Sequence, residues 1–252
     1  MKLIPAEKGA AGIFQSGRVR CRFFLFAAIL PLLFTACDFQ YPRDPEKTLD
    51  KVLSRERVVV AAVEHPPWVF LSAEGQLRGA EVELVEAFAQ DLSVDIEWRH
   101  LPDYLALRGL TSGDIDLVIG GLEQQQVHSV EGAGASYPYF EEVFVIGVRA
   151  EHPLPEQLEG AEVFVPPDEP LDELVRGEEG VPTKNWGPEI AFAALPHWAL
   201  ASHGLERSNI VLRRVKRVMA VRAGENAWLM RLERLLRDQR RGLEARLREY
   251  HS

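Results

Sequence analysis

The side chains most able to do chemistry in this sequence are spaced in ways that argue against catalysis. Ser129 directly follows His128, but neighbours in sequence rarely form a nucleophile–base pair, and no acid is placed to orient them. Four of the seven histidines are considered as possible metal ligands: His100, His128, His197 and His203. Their spacing matches neither the HxxxH nor the HxH pattern of a metal site. We therefore expect no enzyme activity, no metal and no cofactor.

Binding residues are instead expected where the predicted strands end. Val58–Val63 is an unbroken apolar run, typical of a strand buried on both faces of a parallel sheet, and Pro66-Pro67-Trp68 follows it. A later predicted strand, Ile115–Ile119, ends on Gly120-Gly121. In open α/β sheets ligands collect at the carboxyl ends of the strands. The sequence therefore predicts a binding site near these two turns.

The elements that would position such a site alternate between strand and helix. Apolar residues recur with a helical period from Gly79 to Leu92 and leave glutamates on the opposite face. Val94–Trp98 is the second predicted strand, Tyr104–Leu110 a short helix, and Ile115–Ile119 the third strand. Two strand–helix–strand crossovers within about 65 residues argue for a parallel sheet.

Charge and cysteine content exclude further classes of function. The 252-residue chain has a net charge of −9, and without residues 1–36 it has 24 basic and 37 acidic residues, or −13. Such an acidic body would repel the phosphates of nucleic acid. The arginines near the C-terminus alternate with acids and are expected to form helix ion pairs. Both cysteines, Cys21 and Cys37, are N-terminal, so the body has no disulfide and no thiol nucleophile.

The first 36 residues are predicted to be a lipoprotein signal peptide. A basic segment at 18–22 precedes the apolar run Phe23–Thr35, which is short for a membrane span of about 20 residues but suits a signal peptide. The small residues before Cys37 resemble a bacterial lipobox, in which the cysteine is lipidated; an ordinary signal peptide with an incidental cysteine is the alternative. Asp38 resembles the signal that retains lipoproteins on the inner membrane of some Gram-negative bacteria.

Several motifs in the first half occur in an order that resembles one known family. These motifs are Pro66-Pro67-Trp68, the Gly-x-Leu-x-Gly stretch from Gly75 to Gly79, Leu110 to Leu117, Gly120-Gly121, and Tyr137-Pro138-Tyr139. Together they resemble the family 3 extracellular solute-binding proteins, the periplasmic receptors of ABC importers. The resemblance implies an α/β protein with a two-lobed, periplasmic-binding-protein-like (type II) fold and a parallel-sheet core in each lobe.

The resemblance also implies a division of the chain. Its parts are the signal peptide (1–36), a tether (37–54), lobe 1 (55–141), lobe 2 (142–217), and a return strand with closing helices (218–252). In the second half we predict helices at Leu171–Arg176, His197–His203, Ala227–Leu236 and Leu243–Tyr250, and strands at Ile190–Ala194, Ile210–Leu212 and Val218–Gly224.

The residues that usually hold an amino acid in this family are replaced in this chain. Members usually supply an arginine after the Gly-Gly turn, hydroxyls before it and an aspartate from the second lobe, because a guanidinium suits a carboxylate. Counted from Gly121, the arginine position falls on His128 and the hydroxyl positions on Glu123 and Gln125. The aspartate position falls near Ala194. Every part of the usual clamp is altered.

The resemblance leaves five candidate ligand-binding residues: Trp68, Glu123, Gln125, His128 and Tyr137. One acid, a titratable histidine and aromatic faces would suit an amine or another cation better than a carboxylate. In the alternative interpretation Trp68 is a core aromatic that caps the sheet, Glu123 is a loop acid and His128 is a surface residue. Tyr139 is expected to pack at the hinge.

Two functions follow from the resemblance. The first is a lipid-anchored solute-binding protein of the periplasm or cell envelope that captures a small solute for an ABC permease. The second is an envelope lipoprotein that keeps the fold, has lost amino-acid recognition, and acts as a sensor or accessory protein. The first lobe also resembles the N-terminal module of some membrane-bound lytic transglycosylases, whose catalytic domain would begin where this chain ends.

Overall fold

The computed structural model of this protein describes residues 44–251. The predicted signal peptide at 1–36 and the predicted lipidation of Cys37 lie outside the described residues. Among residues 44–251 no helix is long and apolar enough to cross a membrane.

Seven α-helices form within this range. They are α1 (Thr48–Ser54), α2 (Ala80–Leu92), α3 (Asp103–Ser112), α4 (Gln124–His128), α5 (Asp172–Gly177), α6 (Asn226–Gln239) and α7 (Leu243–His251). Short 3₁₀ turns occupy His197–Ala199, Ala201–His203 and Arg240–Gly242.

Eleven strands form within this range, and their lengths run from 2 to 18 residues. They are β1 (Arg57–Ala62), β2 (Phe70–Leu71), β3 (Leu77–Arg78), β4 (Asp95–His100), β5 (Leu117–Glu123), β6 (Ala133–Ala135), β7 (Phe140–Arg149), β8 (Glu162–Phe164), β9 (Val181–Thr183), β10 (Phe192–Pro196) and β11 (Leu205–Arg222). β2 and β3 form a separate hairpin.

One sheet runs through both halves of the protein in the order β4-β1-β5-β11-β7-β10-β8-β9. Lobe 1 contains the parallel strands β4, β1 and β5, and lobe 2 contains the parallel strands β10, β8 and β9. Between them β7 and β11 pair with each other in antiparallel fashion along most of their length. The predicted α/β, two-lobed fold with parallel strands in each lobe is confirmed. The predicted bounds of lobe 2, at 141/142 and 217/218, lie inside β7 and β11, which continue from one lobe into the other.

Both faces of the sheet are covered in each lobe. In lobe 1, Phe88 of α2 and Trp228 of α6 pack on one face, and Leu107 and Leu110 of α3 pack on the other. In lobe 2, Leu171 and Val175 lie in a cluster on one face, and Leu195, Leu200 and Leu205 lie in a second cluster. Strands buried on both faces explain the unbroken apolar runs of the sequence.

Helix α2 shows how local sequence sets an element that supports the site. Its apolar period buries Val82, Leu84, Val85, Phe88, Ala89 and Leu92, as predicted. The helix begins after Gly79, whose φ of +129° is open to glycine. A Cβ at Gly79 would lie 2.2 Å from the carbonyl oxygen of Trp68. The Gly79 position therefore lets the helix start directly against the turn that carries Trp68.

The folded domain begins earlier than the sequence predicted. Residues 37–54 were expected to form a tether, whereas Thr48–Ser54 form helix α1 and bury Val52 completely. The Glu225 carboxylate accepts hydrogen bonds from the N–H groups of Glu46 (2.8 Å) and Thr48 (2.7 Å). This distant acid satisfies the free amides at the start of the helix, which explains why the local sequence gave little signal.

The second half departs from prediction in its detail. The strands expected at Ile210–Leu212 and Val218–Gly224 are parts of the single long strand β11. The helix expected at His197–His203 is a pair of 3₁₀ turns, and the strand expected at Ile190–Ala194 is β10, two residues further on. Pairing with β7 keeps the charged segment between the two apolar parts of β11 extended.

Candidate functional site

The centre of the candidate site is the Gly120-Gly121 turn inside β5, at the boundary between the lobes. Gly120 has a φ of +146° and Gly121 a φ of +59°. A Cβ at Gly120 would lie 2.6 Å from Val63, and one at Gly121 would lie 2.6 Å from the Trp68 ring. Glycine is required here because the backbone is packed against the end of β1 and the turn that follows it.

A buried carboxylate on α2 holds this turn. Glu81 accepts hydrogen bonds from the N–H groups of Gly120 (2.5 Å) and Gly121 (2.8 Å) and from the hydroxyl of Tyr139. Burial raises the pKa of Glu81 above its ordinary value, although these three donors oppose the shift. Burial, together with the neighbouring Glu81, holds the pKa of Tyr139 well above its usual range. The N–H groups of Gly120 and Gly121 therefore donate to Glu81 rather than to a ligand.

A second buried charged group forms the floor of the site. The guanidinium of Arg217, on β11, donates to the Glu142 carboxylate through both Nε (2.7 Å) and Nη2, and to the Gly121 carbonyl through Nη1 (2.5 Å). Trp198 Nε1–H donates to the other oxygen of Glu142 at 2.8 Å. Burial lowers the pKa of Arg217, but the charge and hydrogen bonds of Glu142, together with Tyr139 and Glu169, more than offset this, so the pKa is raised above its ordinary value. The pair is internally neutral.

An open cavity of about 520 Å³ lies above this floor. Its titratable lining residues are Glu64, His65, His100, Asp103, Glu123 and Arg217. Three of these are carboxylates. Glu142 neutralises Arg217 and Arg213 neutralises Glu123, so Glu64 and Asp103 are the lining carboxylates without an arginine or lysine partner. Within the cavity the surplus charge is therefore negative, which favours a positively charged ligand.

Of the five predicted ligand-binding residues, Glu123 lines this cavity. It is half-buried and forms an ion pair with Arg213 of β11. Glu123 also begins α4 in a capping box with Gln126, so part of its role is structural. A ligand amine at this position would meet a carboxylate that Arg213 already contacts.

The other four predicted residues lie elsewhere. Trp68 is 1% exposed and packs edge-on against the rings of Tyr139 and Phe140, as the alternative interpretation of a core aromatic had it. The Arg217 guanidinium lies 5.6 Å from the Trp68 ring centre, so a cation of the chain itself contacts this aromatic face. Gln125 and His128 are exposed on α4, and Tyr137 is 73% exposed beside α6.

Sequence reasoning missed the histidine and the arginine of the site. His65 lies in the same turn as Trp68 and could have been found by the rule that placed Trp68 at a strand end. Its Nδ1 lies 3.1 Å from the Gly120 carbonyl oxygen, and its Nε2 lies 3.9 Å from a carboxylate oxygen of Glu169 in lobe 2. Arg217 precedes the apolar run of β11, and the signal for it was an acid, Glu142, directly before the apolar part of β7.

No grouping of three or more histidine, cysteine or acidic side chains within residues 44–251 is arranged to hold a metal ion.

A family model for bacterial extracellular solute-binding proteins, family 3, matches residues 58–248. Among curated proteins, the membrane-bound lytic murein transglycosylase F of Pasteurella multocida (strain Pm70) is 36% identical over 80 residues. That match covers 30% of this chain and 16% of the transglycosylase, so the chain spans a small part of that relative.

Solved structures share the fold at low sequence identity. An ancestral cationic amino acid solute-binding protein superposes with a TM-score of 0.66 at 17% identity, covering 80% of this chain and 98% of that protein. The L-cystine solute receptor of Neisseria gonorrhoeae, in an unliganded open conformation, gives a TM-score of 0.61 at 15% identity and covers 77% and 92%. At these identities the comparison concerns the fold alone.

Proposed function

Because this chain belongs to the bacterial extracellular solute-binding proteins of family 3, we propose that it captures a small amine-bearing solute outside the cytoplasm for an ABC importer. Cys37 would carry the lipid that anchors it to the membrane, with Asp38 retaining it on the inner membrane. Ligand contacts made by both lobes would favour the closed form, and the permease would receive that form.

The charge of the cavity supports an amine as the ligand. Glu64, Asp103 and Glu123 face the cavity. An ammonium group placed between such carboxylates gains charge-assisted hydrogen bonds. A ligand carboxylate would meet Arg217, whose charge Glu142 already neutralises, and would add a second buried negative charge there. The observation that carries the proposal is this acidic lining above a neutralised guanidinium.

A binding screen tests the ligand class. Polyamines, basic amino acids and simple amines would be compared with dicarboxylates and acidic amino acids by thermal shift, followed by calorimetric titration of any hit. We expect stabilisation by cationic compounds. Asp103→Asn should weaken the binding of a hit by about tenfold, the loss typical of one hydrogen bond to a charged group. Glu173→Gln, on the exposed face of α5, is the matched control and should leave affinity unchanged.

The screen can also contradict the proposal. Stabilisation by acidic compounds, or equal affinity in Asp103→Asn and Glu173→Gln, would exclude the cavity as an amine site. A panel without any hit would favour the second candidate below.

The second candidate is an envelope lipoprotein that keeps this fold without binding a free solute. Two observations favour it: His128, Glu123 and Gln125 stand where the family's amino-acid clamp is expected, and the curated relative is a cell-wall enzyme rather than a transporter component. Such a protein would act as a sensor or accessory partner in the envelope. Uptake of polyamines and basic amino acids in cells with and without this chain distinguishes the two, because the second candidate predicts no difference.

A further inference from the structure

We propose that His65 and Glu169 form a proton-dependent contact between the two lobes, which makes closure of the cleft easier at low pH. The inference rests on the proposed function, since it concerns regulation of the same cleft. It uses two residues that were absent from the predicted ligand set.

The two side chains come from opposite sides of the cleft. His65 follows β1 of lobe 1, and Glu169 follows β8 of lobe 2. The His65 Nε2 lies 3.9 Å from the Glu169 Oε1, and both side chains are mostly buried, at 28% and 19% exposure. Any opening that separates the lobes at this point must break the contact.

The hydrogen bond on the other side of the ring decides which nitrogen responds to pH. The Gly120 carbonyl oxygen, 3.1 Å from Nδ1, can only accept a hydrogen bond, so Nδ1 carries a proton in both charge states. In neutral His65 the Nε2 therefore presents a lone pair to the Glu169 carboxylate. Protonation replaces that lone pair with an N–H donor, and the contact changes from repulsive to attractive.

The other charged groups near His65 are already committed to partners. Arg217 disfavours the imidazolium, but it is paired with Glu142. Glu81 approaches from α2 and is bonded to the Gly-Gly turn and Tyr139. Glu64, the neighbour of His65 in sequence, contacts His100 within the same lobe at 3.6 Å. Glu169 is therefore the group whose distance from His65 depends on lobe closure.

The pKa of His65 follows the same balance. Burial lowers it, but Glu169 and the Gly120 carbonyl more than offset burial, so the pKa of His65 is raised above its ordinary 6.5 in this arrangement. When the lobes separate, the contribution of Glu169 is lost while Arg217 and the Gly120 carbonyl stay beside His65, so the closed form binds the proton more tightly. By linkage, protonation of His65 makes the free energy of lobe closure more favourable. This stabilisation of the closed form is fully present below the ordinary pKa of histidine and is lost as the pH rises through the raised pKa of the closed form.

The experiment measures lobe separation in the full chain, solubilised in detergent and without added solute. Because Cys21 and Cys37 rule out thiol labelling, spin labels are attached to ketone-bearing residues that replace Tyr104 of lobe 1 and Glu173 of lobe 2, both strongly exposed. The distances between the two labels are measured by pulsed electron–electron double resonance at about pH 5.5 and about pH 8, on either side of the usual histidine pKa. We expect the closed-to-open ratio to be roughly two- to fivefold higher at the lower pH, the range for a partly exposed ion pair.

Three variants identify the groups. Glu169→Gln removes the carboxylate from a loop without burying a new charge, and His65→Asn keeps a donor for Gly120 but cannot titrate; both should abolish the pH response. His100→Gln is the matched control, because its partner Glu64 lies in the same lobe, and it should keep the response.

An unchanged distance distribution in the unmodified protein, or a pH response that survives in Glu169→Gln, would overturn the inference. This failure is distinguishable from failure of the proposed function, because no solute is present in the distance measurement. A solute can still bind when the closed-to-open ratio is independent of pH, and that ratio can still depend on pH when no solute binds.

Discussion

Arg217 and Glu142 show at the residue scale how an apparent binding group is turned inward. Both side chains are almost completely buried, at 3% and 2% exposure, and they lie on the paired strands β11 and β7. A guanidinium above a Gly-Gly turn would suit a ligand carboxylate if it were free. Arg217 is paired with Glu142, and Trp198 donates a hydrogen bond to the same acid. The guanidinium is therefore part of the floor of the site and is not free to bind a ligand.

Removal of one partner of this buried pair should be strongly destabilising. Glu142→Ala leaves the Arg217 charge uncompensated inside the protein, and we expect a loss of about 3–5 kcal/mol in the free energy of unfolding. Urea denaturation would measure it. Glu141→Ala is the control, since its ion pair with Arg214 is half exposed and should contribute less than about 1 kcal/mol. Equal losses in the two variants would show that the Arg217–Glu142 pair does not stabilise the floor.

At the scale of elements, the β5 turn positions both the cavity and the inter-lobe contact. Gly120 supplies the carbonyl that orients His65, Gly121 supplies the carbonyl that binds Arg217, and both N–H groups bind Glu81. Helix α2, strand β11 and the turn after β1 therefore meet at two residues. A shift of this turn would disturb every charged group of the floor.

Gly121→Ala tests this role of the turn. The added methyl group would meet the Trp68 ring at 2.6 Å in a backbone conformation that L-residues rarely adopt, so both strain and overpacking are expected. Gly75→Ala separates the two effects, because Gly75 also has a positive φ (+76°) but open space around its Cβ position. We expect about 1 kcal/mol of destabilisation at Gly75 and about 2–4 kcal/mol at Gly121 in thermal or urea unfolding. Similar values at both positions would show that packing against Trp68 does not constrain the turn.

At the scale of the whole molecule, the two lobes share a single sheet. Strands β7 and β11 belong to both, so relative motion of the lobes must bend or twist these strands. The register shifts of β11 between Arg207 and Val211, and between Val211 and Arg213, are places where the ladder with β7 is already interrupted. Both shifts lie before Arg217 in the chain, so the ladder is interrupted outside the floor of the site.

The proposed anchor is also a property of the whole molecule. If Cys37 is lipidated, the unmodified protein should sediment with membranes, and Cys37→Ala should move it to the soluble fraction, because lipid chains supply the membrane affinity. Cys21→Ala is the matched control and should leave the protein with the membranes. Cell fractionation with immunodetection measures both, and a membrane-bound Cys37→Ala protein would contradict lipid anchoring through that residue.

The first half of the fold was readable because its signals are local. Buried strands appear as apolar runs and α2 as a helical period, and both patterns depend on residues within one element. The second half was less readable, since α1 depends on Glu225 and the charged part of β11 depends on pairing with β7. The site was the least readable part. Trp68, predicted at a ligand surface, is buried beneath the turn, while His65 and Arg217 went unnoticed.

The sequence by itself determined the family, the α/β class, the order of the lobe 1 elements and the acidic character of the body, because these follow from composition and from patterns within short segments. Only the tertiary structure decided which charges are available to a ligand. Glu123 meets Arg213 across 90 residues of chain and Glu142 meets Arg217 across 75. Such partners are chosen by strand order and burial, which no local pattern records. The fold therefore buries Arg217 with Glu142 as a paired floor and places Glu123 in the lining of the acidic cavity above it.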